Sequence, residues 1–274
     1  MKKILVPCDF SDPAVQAFKF AVEIARKSKG EILLLHVIEL PVLYESAAVL
    51  SFEENYLKDR KANAEKNFNK MREKWAKNGP KINTAIEYGG AVTIIKRFLD
   101  ESKIDLVVLG TTGASGLKEF TVGSNAEKIV RTSPVPVIAI KKVPTAIKEI
   151  VFPTRPDMDQ EEITTKVKAL QDLFGARLHV VYINTPGLFK RDAETKANLQ
   201  AYAKRFMLKN FTINIYNDVS EEEGIANFAK EVKADMIALR THGRRGLAHL
   251  AVGSIAEDIV NHINCPIWTY RIKE

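Results

Sequence analysis

The chain is poor in cysteine. Cys8 and Cys265 are the only two in 274 residues, and their separation gives neither a disulfide framework nor a metal-ligand spacing. Both are expected to be packing residues. No apolar run approaches the eighteen or so residues a membrane-crossing helix needs. The start, Met1-Lys-Lys-Ile-Leu-Val-Pro, carries too short an apolar stretch for a signal peptide and turns acidic at Asp9, so a cytoplasmic location with no membrane partner is expected. A Walker lysine is missing too, because no glycine loop runs into Gly-Lys-Ser or Gly-Lys-Thr. No Ser-His-Asp or Cys-His nucleophile is legible, and His242, His249 and His262 lack a metal spacing. The net charge of +7 comes without a recognition-helix, zinc-finger or RNA-binding pattern, and its lysines spread over stretches of helical periodicity such as 58–77. Nucleic-acid binding is not expected.

What is present is a duplication. A shift of 130 residues aligns Asp105 with Asp235, Leu109 with Leu239, Gly113 with Gly243, and Gly123-Ser124 with Gly253-Ser254. The match runs on through Ala126-Glu127 and Pro136 onto Ala256-Glu257 and Pro266. Upstream the offset grows to about 146, where Ile4-Leu5-Val6-Pro7 meets Ile150-Val151-Phe152-Pro153, so the first repeat carries roughly sixteen extra residues between Ile38 and Ile82. Two domains follow, 1–143 and 147–274, each long enough to bury its own core.

Within the first repeat, short apolar runs alternate with longer periodic segments. Strands are expected at 3–7, 31–38, 82–87, 105–109 and 135–140, and helices at 13–27, 91–102 and 124–132. A loop is expected from 40 to about 51, followed by a long helix with Leu57, Ala64, Phe68, Met71 and Trp75 on one face. Such alternation implies an α/β fold, a parallel sheet with helices on both faces. In such sheets ligands bind outside the carboxyl ends of the strands. There the chain places Pro7-Cys8-Asp9, Leu109-Gly110, and Gly123-Ser124-Asn125 at the start of a helix. A helix N-terminus with free N–H groups suits phosphate, and Gly110 and Gly113 would clear space for a sugar or base.

At these residues the chain resembles the universal stress protein family. The likeness rests on the spacing G-x2-G-x9-G-S through Gly110, Gly113, Gly123 and Ser124, on Ile4-Leu5-Val6-Pro7-Cys8-Asp9, and on Leu35-His36-Val37-Ile38. The resemblance implies two tandem flavodoxin-like, Rossmann-related domains, each a five-stranded parallel sheet of order 3-2-1-4-5. It implies an ATP cradle in which Asp9 and Val37 hold adenine and ribose. Gly110, Thr112 and Gly113 would line ribose and phosphates, and Gly123, Ser124 and Asn125 would grip the phosphates. Pro7, Cys8 and Leu109 complete the expected site, with Cys8 packed under adenine or else redox-sensitive. Mg2+ would arrive on the phosphates. The resemblance also implies pairing of the two domains through their fifth strands, and a homodimer.

The second repeat departs from this pattern. Arg155 stands at the position of Asp9 and Arg240 at that of Gly110, with Tyr182 placed at that of Val37. A guanidinium supplies only donors where the carboxylate accepted. The second repeat is therefore expected not to bind ATP in the family manner. Its arginines either fill a degenerate pocket or serve another anion together with Arg244 and Arg245. With no general base or charge clamp in view, ATP turnover is expected to be slow at most. A nucleotide-binding regulatory protein of the stress response is the favoured function, with a slow ATP-hydrolysing enzyme or a nucleotide-free interaction module as alternatives. Residues 39–51 are expected to form a lid or an interface element.

Overall fold

The structure, a computed structural model, describes residues 1–39, 47–111, 124–156, 160–241 and 265–271. The chain forms two compact units, Met1–Gly110 and Thr111–Glu274. In the first, strands β1 (Lys3–Pro7), β2 (Glu31–Ile38), β3 (Ile82–Tyr88) and β4 (Leu106–Gly110) alternate with helices α1 (Asp12–Ser28), α2 (Ala47–Trp75) and α3 (Ala91–Glu101). The strands lie parallel in the order β3-β2-β1-β4. The chain thus builds outward from β1 to β3 and then crosses back to β4. At that reversal, beside β1, connections leave in opposite directions and open a crevice at the carboxyl ends.

Ile4, Leu5 and Val6 on β1 and Leu106, Val107 and Val108 on β4 are fully buried. Burial on both faces is what a parallel sheet covered by helices requires of its central strands. Helix α1, with Phe18, Ala21 and Ala25 among its buried residues, packs on β1 and β4, and α2 packs on β2, β3 and α1. Ser11 caps α1, its Oγ accepting from the Ala14 N–H at 3.4 Å, with Pro13 in the first turn. Of the extra residues of the first repeat, most fall in α2, which has 29 residues where its counterpart in the second repeat has 14. The loop expected over 40–51 is shorter than that. Ala47–Trp75 is one helix, since nothing from Ala47 to Ser51 breaks it and alanine and leucine favour it; residues 40–46 lie outside the described residues.

The second unit opens with α4 (Ser124–Thr132) and β5 (Val137–Ile140). It continues through β6 (Glu149–Pro153), α5 (Glu161–Phe174), β7 (Arg177–Asn184), α6 (Asp192–Arg205), β8 (Phe211–Asn217), α7 (Glu221–Glu231), β9 (Met236–Thr241) and β10 (Ile267–Arg271). Its strands lie in the order β5-β10-β9-β6-β7-β8. From β10 to β8 they are parallel, and in the numbering of the repeat this is 5-4-1-2-3. Strand β5 runs antiparallel to β10, with Ala139 opposite Ile267 and Val137 opposite Thr269. The compact units therefore do not coincide with the sequence repeats: α4 and β5 come from the first repeat, yet β5 is hydrogen-bonded to β10 and α4 packs against both. Trp268, fully buried on β10, anchors this part of the core and contributes about 2 kcal/mol or more by its burial.

One device at the sheet's amino-terminal edge is repeated. Asp105 Oδ2 accepts from the backbone N–H groups of Lys2 at 2.6 Å and Lys3 at 3.0 Å. Asp235 Oδ2 does the same for Lys148 at 2.8 Å and Glu149 at 3.1 Å. Each aspartate satisfies the N–H groups at the start of its repeat's central strand, which is the physical reason it recurs at the same place in both copies.

Candidate functional site

In the first unit the carboxyl ends of β1, β2 and β4 bring Pro7, Cys8, Asp9, Val37, Leu109 and Gly110 to one end of the sheet. Pro7 lies opposite Leu35, and the Cys8 N–H continues the ladder to Leu35 O at 2.8 Å. Asp9 is the first residue beyond the ladder and is exposed, while Val37 is half-buried. The Asp9 carboxylate is held by one oxygen: Oδ1 accepts from Ser11 N at 3.0 Å and from Ser11 Oγ at 2.6 Å. Its Oδ2 is left open to an incoming donor among the described residues. Between them Phe10 takes the left-handed conformation, φ 66°, which costs a non-glycine residue about 1 kcal/mol. Its ring lies 4.6 Å from that of His36 and 5.2 Å from that of Phe68. His36 in turn donates from Nδ1 to the Cys8 carbonyl at 2.7 Å, so its proton sits on Nδ1. An aromatic platform thereby fixes the strand end that carries Asp9.

The corresponding end of the second repeat is built differently. Arg155 forms an ion pair with Glu221, Nη2 to Oε2, at 2.6 Å. Glu221 opens α7, and its counterpart on α3 is Ala91. Where the first repeat has Cys8, Ala14 and Phe18, the second has Thr154, Gln160 and Thr164, all buried. Thr154 Oγ1 donates to Gln160 Oε1 at 2.5 Å, Gln160 Nε2 donates to Arg155 O at 2.6 Å, and Thr164 Oγ1 donates to Gln160 O at 2.5 Å. The remaining hydroxyl, that of Tyr202, is therefore the donor to Thr164. Burial pushes the Tyr202 phenol above its ordinary pKa. A chain of buried, hydrogen-bonded groups thus ties the end of β6 to α5 and α6.

Comparison with known proteins places these two site ends in a common lineage. The sequence pattern of the universal stress protein family matches residues 1–141 and again residues 146–271. The chain belongs to the universal stress protein family. A universal stress protein of Methanocaldococcus jannaschii is 35% identical over 143 residues, covering 52% of this chain and 82% of that protein. One from Synechocystis is 24% identical over 290 residues, covering 99% of this chain and all of that protein. The crystal structure of a universal stress protein from Archaeoglobus fulgidus shares the fold along 98% of both chains, with a TM-score of 0.75 at 17% identity.

As a universal stress protein of tandem form, the chain can be read repeat against repeat, and two expectations change. The strand registers pair Pro7 with Leu35 and Pro153 with Val181. The counterpart of Val37 is therefore Ile183, and Tyr182 stands at the position of His36. Gly110 is needed for a reason other than ligand space: a Cβ there would lie 2.3 Å from Pro13 C and 2.7 Å from Ala14 N. The first turn of α1 occupies that position, so no ribose is required to explain the glycine. The ion pair of Arg155 with Glu221 was missed by sequence reasoning, although glutamate in place of Ala91, opposite an aspartate turned arginine, is a legible signal. Of the remaining site residues, Thr112, Gly113 and Gly123 lie outside the described residues. Ser124 is the first residue of α4 and Asn125, exposed, the second, and both belong to the second unit.

Both cysteines behave as packing residues. Cys8 is buried with its Sγ 4.0 Å from Met71 Sδ, and burial pushes its thiol up to about 12, partly opposed by the Phe10 backbone N–H. Burial raises Cys265 to about 12 as well, with the Asp235 charge adding to it. Against the usual 9.0 this leaves roughly a thousandfold less thiolate at neutral pH. In a Cys265→Ser chain, Ellman's reagent at pH 8 is expected to label Cys8 rapidly only after unfolding. Rapid labelling of that native chain would contradict the packing role of Cys8. Since the folded thiols titrate higher than the unfolded ones, their contribution to stability is whole below pH 9 and declines as pH rises from about 9 to 12.

The Arg155–Glu221 pair is about a quarter exposed on each side. A double-mutant cycle with Arg155→Ala and Glu221→Ala is expected to give a coupling of about 1 kcal/mol in urea unfolding. Strict additivity would show that the guanidinium is held by something other than Glu221.

Proposed function

We propose that the first repeat, 1–143, binds ATP at the carboxyl end of its sheet, and that the second, 147–274, does not bind it in that way. The protein then acts as a nucleotide-dependent regulator of the stress response. The observation that carries this reading is the contrast at matched positions between Asp9, with one carboxylate oxygen open among the described residues, and Arg155, paired with Glu221.

The residues present fit a nucleotide. Asp9 Oδ2 offers an acceptor to a ribose hydroxyl or the adenine amino group, and Val37 an apolar surface to the base. The Phe10 turn keeps the carboxylate in place. By the family resemblance alone, Gly123, Ser124 and Asn125 are the residues assigned to the phosphates. Among the described residues no group of three or more His, Cys, Asp or Glu could hold a metal ion. Magnesium would therefore come with the phosphates and keep most of its water.

Heating the purified protein and chromatographing the released small molecules tests this directly. ATP in near-equal amount to the chain is the expected result. ADP released at several turnovers per second from added ATP would favour the enzyme reading. No co-purified nucleotide and no saturable ATP uptake would leave the interaction module.

A further inference from the structure

The second repeat carries a cleft at the other end of its sheet, where β6, β9 and β10 begin. Its volume is about 550 Å³, and it opens between the last turn of α7 and the segment 144–148. Its existence can be traced residue by residue against the first repeat. Ala229, Ala234 and Cys265 line it, and the matched residues of the first repeat are the larger Leu99, Ile104 and Val135, of which Leu99 and Ile104 are buried. Three reductions in side-chain volume at neighbouring positions remove the apolar filling from this corner.

Charge changes with volume. Lys148, Lys230 and Lys233 stand on the rim, and Lys230 replaces Asp100 of the first repeat. The carboxylate of Asp235 also faces the cleft, but its Oδ2 is engaged by the N–H groups of Lys148 and Glu149. Cys265 is neutral at physiological pH, since burial raises its thiol to about 12. The net local charge is therefore positive. The α7 wall is fixed: Lys233 takes the left-handed conformation, φ 52°, and the Ala234 N–H closes the turn on Ala229 O at 2.8 Å. Segment 144–148 forms the facing wall through Pro144, Thr145, Ala146 and Lys148.

We propose that this cleft is a binding site for a small amphipathic organic anion, an apolar body seated on Ala229, Ala234 and Pro266 with its carboxylate, sulfonate or phosphate against Lys230 and Lys233. An apolar floor with a few convergent charged groups is the usual make-up of a small-molecule site, and lysine recognises such an anion as a point charge. The site is independent of the nucleotide reading.

The test uses anilinonaphthalene sulfonate as probe, titrated by fluorescence into the full chain in the presence of excess ATP. Saturable binding is expected, displaced by octanoate and not by octylammonium, which has the same apolar body and the opposite charge. Lys230→Asp, which restores the charge of the first repeat at an exposed position, is expected to weaken the probe about tenfold. Ala234→Ile, which restores the volume, is expected to abolish binding. Should Ala234→Ile fail to fold, Lys230→Asp decides alone. Unchanged affinity in Lys230→Asp, or equal displacement by octylammonium, overturns the proposal.

Discussion

Asp9→Ala lowers the affinity for ATP by roughly ten- to a hundredfold, the loss that follows from removing a charged acceptor worth about 1.5–3 kcal/mol. Isothermal titration at constant salt and magnesium measures it. Arg155→Ala, at the matched position of the second repeat, leaves the affinity unchanged. The two variants form an internal control, since both residues follow the same strand end and only one is assigned to the ligand. Asp9 is exposed and Ser11 caps α1 with its own hydroxyl, so the melting temperature of Asp9→Ala stays close to that of the parent. Asp9→Asn keeps an acceptor and the local turn and loses less. An Asp9→Ala chain that binds ATP as tightly as the parent would remove the carboxylate from the site.

The second large effect concerns stability. Gly110→Ala places a Cβ 2.4 Å from the Pro13 carbonyl oxygen and 2.7 Å from Ala14 N. Both are backbone atoms of the first turn of α1, and neither can swing aside as a side chain would. The strand or the helix has to move, at a cost of about 3 kcal/mol or more. Urea unfolding followed by circular dichroism is expected to show the midpoint of Gly110→Ala clearly below that of the parent. Arg240 occupies the matched position in the second repeat. An unchanged midpoint in Gly110→Ala would mean that the glycine is kept for a ligand after all.

These two results mark what the sequence could and could not tell. The duplication, the alternation of strands and helices, and the end of the sheet that carries Asp9 were legible, because burial on both faces leaves short apolar runs and repeated identities. The reason for Gly110 was not, since a strand meets the first turn of a helix distant in sequence only in three dimensions. The error over Tyr182 has a similar source: a strand slipped by one residue looks equally apolar, and only the pairing of Pro153 with Val181 fixes it. The Thr154, Gln160 and Thr164 network went unread, although polar residues at the apolar positions of Cys8, Ala14 and Phe18 are its signal. Its link to Tyr202 was not legible, because that residue comes from another helix.

Fold neighbours leave the central claim of asymmetry open, because they share the architecture of both repeats. Equilibrium dialysis of the full chain against labelled ATP, carried to saturation with magnesium present, tests it most directly. One site per chain is predicted, lost in Asp9→Ala and retained in Arg155→Ala. Two equivalent sites per chain, or a single site that survives Asp9→Ala, would contradict it.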